Sequence, residues 1–360
     1  MSILNKIKQN ILITSCTALL VGCGGSGSST STETISSKTI HEGQVKESTT
    51  GQGLENVEVS IGSHTAKTDE NGFYILSDLT EDEEAVINFK KEGYILGSTK
   101  IQIKKLSGDN TTSSNYLEYK MHDHGQQWTY DSQNGATGGA VEIPAGAIHT
   151  DAVGNVYNGI VYGRWSFKDT MTDAGRDAFN GSFEGMNTNG VLVPFVSYGF
   201  MSVELKDNNG TSLGISENIT LVLSSVTGTT ENILPLWYYD YEQGLWIEEG
   251  YAERQSDGTY RGEISHPGTW SLNLAIEEEI GIYRGHIVDK NGAPISDARL
   301  FAIGDNWISS DLTTDENGLF EIEVIPGKRF QLAAYNYKDK YGAEYNAIIE
   351  AIASGEIVED

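Results

Sequence analysis

Thr68-Asp69-Glu70-Asn71-Gly72 and Thr314-Asp315-Glu316-Asn317-Gly318 are the same pentapeptide, and each runs straight into an apolar strand, Phe73-Tyr74-Ile75-Leu76 or Leu319-Phe320-Glu321-Ile322. The upstream contexts match as well. Gly43-Gln44-Val45 leads through a turn with Gly51 and Gly53 to Val57-Glu58-Val59, and Gly285-His286-Ile287 leads through Asn291-Gly292-Ala293-Pro294 to Ala298-Arg299-Leu300. One structural unit therefore occurs twice, over residues 39–122 and 279–360. In the pentapeptide the Asp side chain is placed to accept from backbone N–H groups two residues on, and the terminal Gly supplies a positive φ that other residues adopt at a cost. Asp-x-Asn-Gly recurs at 207–210 and 289–292. All four read as hairpin turns rather than fragments of calcium loops, because a calcium loop needs further oxygen ligands at set spacing and a closing acidic residue.

Composition agrees with a β-rich chain. Forty-one glycines, 18 tyrosines and six prolines accompany short alternating runs of Val, Ile, Tyr and Thr, which favour strands over helices. Val57-Glu58-Val59-Ser60-Ile61, Met201-Ser202-Val203-Glu204-Leu205 and Thr220-Leu221-Val222-Leu223 have the two-residue period of half-buried strands. Helical periodicity is confined to 172–179 and to the tail, 347–353. The fold class expected is all-β, with β-sandwich domains in tandem.

The repeated unit resembles the carboxypeptidase regulatory-like family, a small transthyretin-like β-sandwich also grouped with carbohydrate-binding-like folds. The likeness rests on the opening Gly-x-Val/Ile strand, on Leu54-Glu55-Asn56-Val57 and Ile295-Ser296-Asp297-Ala298, on the Thr-Asp-x-x-Gly turn, and on Lys91-Glu92-Gly93-Tyr94 in the first copy. The second copy lacks a clear equivalent of that Gly-Tyr pair. The resemblance implies a fold and is almost silent about activity.

The opening of the chain has the order of a signal peptide over residues 1–22: Lys6 and Lys8, an apolar stretch over 11–21, then Gly22-Cys23-Gly24-Gly25. The apolar run is about half of the roughly 20 residues that span a bilayer as a helix. Leu20-Val21-Gly22-Cys23 is similar to the lipobox of bacterial lipoproteins, which implies cleavage before Cys23, a lipid on its sulfur, and a membrane partner through that anchor. Gly24 in place of Asp favours the outer membrane in lipoproteins of this type. The Gly/Ser/Thr-rich residues 23–38 form a flexible spacer. The other cysteine, Cys16, leaves with the signal, so no disulfide or thiolate metal site remains in the exported chain. Losing two lysines takes the formal net charge from −27 to −29. So acidic a surface repels phosphate backbones, which argues against nucleic acid as a partner.

Between the repeats lies a middle β-sandwich domain, 138–278. Its start, Gly138-Gly139-Ala140-Val141-Glu142-Ile143-Pro144-Ala145-Gly146-Ala147-Ile148, is similar to the sandwich domains of ankyrins and netrin receptors. Leu236-Trp237-Tyr238-Tyr239-Asp240, 244–250 and His266-Pro267-Gly268-Thr269-Trp270-Ser271 resemble a hairpin and closing strand of extracellular proteins of the cartilage intermediate layer type.

A search for chemistry returns little. There is no His-x-x-Glu and no His-Glu-x-x-His, so the zinc peptidase that accompanies many regulatory-like domains is missing. Gly210-Thr211-Ser212-Leu213-Gly214 fits the nucleophile-elbow pattern, but that elbow needs a strand before it and a helix after it, and here a turn precedes and a strand follows. His122-Asp123-His124 offers two imidazoles, too few for a metal, and reads as a solvated loop. No metal or other cofactor is expected. The aromatic cluster Trp237, Tyr238, Tyr239, Tyr241, Trp246, Tyr251, Tyr260 and Trp270 offers flat rings that stack on sugars or anchor protein contacts. Strand alternation puts Trp237 and Tyr239 on one face and Tyr238 on the other. Trp246 and Trp270 are expected to pack, while Tyr238 and Tyr241 are expected to be exposed as the ligand-binding pair. The sequence thus describes a non-catalytic surface lipoprotein, with a glycan or an extracellular protein as candidate partner and carbohydrate binding through exposed aromatics as the alternative.

Overall fold

The computed structural model describes residues 39–103, 116–125, 127–136, 139–224, 226–276, 281–289, 291–296, 298–304, 309, 312–325, 329–338 and 344–352. The signal segment, Cys23 and the spacer lie outside them, and the first strand starts at Thr39. The described chain is all-β but for one short helix.

The first module has seven strands: β1 (Thr39–Glu47), β2 (Glu58–Ile61), β3 (His64–Lys67), β4 (Phe73–Leu79), β5 (Asp82–Lys90), β6 (Gly97–Ile103) and β7 (Tyr116–Met121). They form two sheets, β4-β1-β7 and β3-β2-β5-β6. All pairs are antiparallel except β1 with β7, which run parallel with Gly43 opposite Leu117. Alternation sends Val59, Ile61, Ile87 and Phe89 from one sheet against Val45, Tyr74, Leu76, Leu117 and Met121 from the other.

The middle region comprises β8 (Gln127–Asp131), β9 (Val141–Glu142), β10 (His149–Thr150), β11 (Val156–Tyr157), β12 (Ile160–Lys168), helix α1 (Asp173–Asp177), β13 (Glu184–Met186), β14 (Leu192–Lys206), β15 (Gly214–Ile215), β16 (Ile219–Leu223), β17 (Ile233–Asp240), β18 (Leu245–Arg254), β19 (Tyr260–Ile264) and β20 (Gly268–Ala275). One long sheet runs β8-β12-β14-β20-β17-β18-β19-β16-β9, with β13 beside β14 and β18, and a small sheet runs β11-β10-β15. Helix α1 falls where the sequence places helical periodicity. Its start is set by Thr172, which takes an extended conformation and accepts from the Gly175 N–H, satisfying a donor that the first turn leaves open.

The last module has β21 (Gly281–His286), β22 (Arg299–Gly304), β23 (Leu312–Thr313), β24 (Leu319–Val324), β25 (Arg329–Lys338) and β26 (Glu344–Ile352). Its sheets, β21-β24 and β23-β22-β25-β26, repeat the first module's order. The pentapeptides do the same work in both. Thr68 Oγ1 accepts from the Val57 N–H (2.8 Å) and donates to the Leu54 carbonyl (2.5 Å), while Thr314 Oγ1 accepts from Ala298 N–H (2.9 Å) and donates to the Ile295 carbonyl (2.8 Å). Asp69 Oδ1 accepts from the N–H groups of Asn71 and Phe73, and Asp315 Oδ1 from those of Asn317 and Leu319. Gly72 and Gly318 sit at φ +81° and +71°, where a Cβ would come within 2.3 Å of the Val45 carbonyl oxygen or 2.4 Å of that of Ile287. Asp207 and Asp289 hold their turns through the same two backbone acceptances. One carboxylate oxygen of each Asp is thereby committed to the backbone, as a hairpin turn requires.

Two local expectations are corrected. The tail does not continue as a helix over 347–353: residues up to Ile352 lie in β26, paired antiparallel with β25 from Arg329↔Ile352 to Lys338↔Glu344, and Ala353 is outside the described residues. A ladder of that length outweighs the few tenths of a kcal/mol per residue by which Ala and Glu favour helix. The 201–205 strand is not half-buried either. From Phe195 to Val203 every residue of β14 is buried, Ser202 included, because the long sheet is covered on both faces.

Candidate functional site

The aromatic strand β17 shows what covers those faces. Trp237 and Tyr239 share a face, as alternation requires, and join Trp246, Phe179, Phe195 and Phe200 in a cluster that also takes in Ile95 of the first module. Phe179 stacks on Trp246 at 4.7 Å, and Tyr239 meets the same indole edge-on at 5.0 Å. The opposite face contributes Leu236, Trp270 and Leu272 to the largest core cluster, which also takes in Leu300 and Phe320 of the last module. Trp246 and Trp270 are fully buried packing residues, in line with the sequence reading. Their indole N–H groups donate to the carbonyls of Asn180 and His266.

Tyr238 and Tyr241 do not form a pair. Tyr238 is half-buried and packs edge-on against His266 and obliquely against Trp270. Tyr241 is likewise half-buried, but its hydroxyl is sealed in the seam between the first module and the middle domain, which corrects the expectation of an exposed ring. It accepts from Asn180 Nδ2 (2.9 Å) and shares its proton between the Leu96 carbonyl (3.1 Å) and Thr269 Oγ1 (2.8 Å). Burial pushes this phenol, and that of Tyr239, well above the usual range. Tyr241 also lines a cleft of about 670 Å³ with Ile61, His64, Leu79, Asn88 and Glu242. Asn88 Nδ2 donates to the Tyr241 carbonyl (3.2 Å), which fixes the amide orientation, and Asn88 Oδ1 is enclosed with no hydrogen-bond partner among the described residues.

The seam's main organiser is Asn180, which is completely buried. Its Oδ1 accepts from the Ser98 N–H (3.0 Å), its Nδ2 donates to the Leu96 carbonyl (3.1 Å), and the next residue, Gly181, donates to the Ser98 carbonyl (3.0 Å). The amide thus pairs with β6 much as a neighbouring strand would. Sequence reasoning missed Asn180, which sits in a stretch, 170–189, that resembles nothing identifiable; an isolated Asn carries no signal of its own. From Tyr241 the hydrogen bonds continue through Thr269 to Ser202 Oγ (3.3 Å) and on to His124 Nε2 (3.0 Å).

His122 and His124 are also reassigned. They are buried at 8% and 3% exposure, not in a solvated loop, because their backbone is zipped to the first module: Ile95 N–H donates to His122 O and His124 N–H to Gly93 O. Burial holds both imidazoles below their usual pKa. At the rim, Glu92 takes Arg164 and Lys206, each at 2.6 Å, and these cations hold its carboxyl below the ordinary range, Lys206 most. Ser212, of the Gly-x-Ser-x-Gly match, bridges Lys206 in a hairpin and precedes the short strand β15; no helix follows to form an elbow. Among the described residues no group of three or more His, Cys, Asp or Glu is placed to hold a metal, and no helix is long and apolar enough to cross a membrane.

No known protein-family profile matches the sequence. Over 135 residues, 35% of this chain, it is 29% identical to cartilage intermediate layer protein 2 of Mus musculus, and it spans 11% of that protein's length. Among solved structures, BcpA, the major pilin subunit of Bacillus cereus, overlaps 88% of this chain and 96% of its own at 10% identity and a TM-score of 0.20. The full-length major pilin SpaD of Corynebacterium diphtheriae overlaps 90% and 93%, again at 10% identity and a TM-score of 0.20. TM-scores this low define no common fold. What this chain is similar to by sequence is one segment of a much longer protein.

Proposed function

We propose that this protein is a non-catalytic, lipid-anchored surface lipoprotein of the bacterial cell envelope, a structural or binding element built of β-sandwiches. One observation carries the non-catalytic part: the side chains that look chemically equipped are consumed in joining modules. Trp237, Tyr239 and Trp246 close the cluster against Ile95, the Tyr241 hydroxyl and Asn180 clamp β6, and His124 ends the same chain of hydrogen bonds. Side chains committed in this way suit a protein that displays or spaces something rather than one that turns over substrate. The anchor is supported by Lys6, Lys8, the apolar run and Leu20-Val21-Gly22-Cys23, with Gly24 favouring the outer membrane. Mass spectrometry of the native protein should find diacylglycerol-modified Cys23 at the N-terminus, and Cys23→Ser should move the protein to the soluble fraction. An unmodified Cys23 in an uncut chain sinks the proposal.

A second reading is favoured by the cleft at Tyr241. A tyrosine ring and the flanking polar groups His64 and Glu242 suit a small saccharide, whose hydroxyls hydrogen-bond to them while a ring face covers the aromatic. Titration with a panel of mono- and disaccharides should then show saturable binding that His64→Ala weakens and Tyr238→Ala leaves intact. Binding indifferent to His64 refutes this reading.

A further inference from the structure

The first module keeps a core separate from that of the middle domain, and the seam between them is built unlike either. Its rim is ionic. Glu92 of the first module takes Arg164 and Lys206 of the middle domain, Lys120 takes Asp177 (2.9 Å), and Asp123 faces Lys168 (3.8 Å). Inside that rim lie the imidazoles of His122 and His124, on the segment that passes from β7 to β8. Both are buried, and each has one enclosed ring nitrogen with no hydrogen-bond partner among the described residues, Nε2 in His122 and Nδ1 in His124.

A neutral imidazole carries one N–H and one bare nitrogen, whereas an imidazolium carries two N–H groups that both need acceptors. The seam gives His124 a single contact, Ser202 Oγ at 3.0 Å, so its charged form would leave a buried donor unpaired. Burial is the main force holding both rings neutral. Lys168 and Lys120 oppose charge on His122 while Asp177 and Asp123 favour it, and Arg164 and Lys206 oppose charge on His124 while Glu204 favours it. His124 also ends the hydrogen-bond chain that runs through Ser202, Thr269 and Tyr241 to the Leu96 carbonyl, one residue before β6. A proton taken up there acts on the bonds that clamp the first module.

We propose that the seam is an acid-operated latch: proton uptake at His122 and His124 releases the first module from the middle domain while each keeps its own fold, and uncovers Tyr239 and Trp246. The closed seam favours neutral rings, so closure is complete above pH 6.5. Below it the opening equilibrium rises by up to about tenfold per pH unit for each imidazole that protonates on release. Glu92, held below the ordinary carboxyl range chiefly by Lys206, stays charged as the rings titrate.

Amide exchange of the full chain at about pH 7.5 and about pH 5, expressed as protection so that the pH dependence of chemical exchange cancels, tests the latch. Ser98 and Gly181 donate across the seam, to Asn180 Oδ1 and the Ser98 carbonyl. Their protection should fall on acidification by at least about tenfold more than that of Val59 and Ile87 inside the first module. In the chain carrying His122→Gln and His124→Gln the difference should vanish. Where that double variant is open at every pH, the ring nitrogen signals of the unaltered chain decide: both imidazoles should become protonated at the pH at which Ser98 and Gly181 lose protection. Seam protection that is constant with pH, that falls only as far as that of Val59 and Ile87, or that falls equally in the double variant overturns the proposal. So do rings that titrate while the seam stays shut.

Discussion

The first and last modules use the same turn and the same threonine, yet they are not equally closed. Around β1 the packing is complete on both sides: a Cβ on Gly43 would lie 2.1 Å from the Leu117 carbonyl oxygen and 2.6 Å from the Tyr74 hydroxyl. Around β21 the three atoms nearest a Cβ on the corresponding Gly285 all belong to the Phe320 ring, the first at 2.5 Å. Identical local chemistry thus supports two degrees of burial, and among the described residues what distinguishes the first module is its seventh strand, β7, beside β1.

Substitutions at matched positions sharpen this contrast. Gly43→Ala should be the most damaging, costing about 3 kcal/mol or more because a backbone carbonyl cannot step aside, whereas Gly285→Ala should cost about 1 kcal/mol since a ring can tilt. Hydrogen exchange resolved by module measures both, and equal losses would break the comparison. Acid should also divide the modules. Burial holds His41 at about 4 against an ordinary 6.5, so the unfolded chain takes up a proton that the folded module refuses. Stability contributed by this group is intact above pH 6.5 and falls as the pH drops through 6.5 towards 4, by roughly 3 kcal/mol in all. Tyr283, at the matched position, carries no such liability, and pH-dependent exchange should show the first module loosening before the last. Loss at the same pH in both would remove the assignment to His41.

Thr68→Val and Thr314→Val test what the modules share. Each deletes one accepted and one donated hydrogen bond at a buried hydroxyl, and each should destabilise its own module by about 2 kcal/mol. A large asymmetry between them would show that the repeat is one of sequence more than of energetics. The smallest expected effect concerns the seam. Tyr241→Phe, which strips the hydroxyl from Asn180, Leu96 and Thr269, should cost about 1–2 kcal/mol in thermal denaturation, with Tyr238→Phe within about 0.5 kcal/mol of wild type.

Much of the fold was legible because its punctuation is local. An Asp whose carboxylate caps the turn and a Gly at positive φ act within five residues, and they announce their hairpins wherever they occur. Helix α1 was legible through the short run of helical periodicity at 172–179, and the Thr172 cap came to light only in the structure. The candidate site was legible only in part. Alternation correctly separated Tyr238 from Trp237 and Tyr239, but it could not say what lies over each face, and Tyr241 proved to belong to a seam built with residues more than sixty positions away, Asn180 and Leu96 among them.

By itself the sequence determined the all-β character, the doubled unit and the turns that space its strands, since each follows from backbone preferences of neighbouring residues. Tertiary structure alone decided that the long sheet is covered on both sides, that two histidines and an asparagine are buried in a joint, and that the tail from Glu344 to Ile352 is strand. Those outcomes depend on which distant surfaces meet. A side chain's period tells it which way to point, but only the partner that arrives there decides whether it faces water.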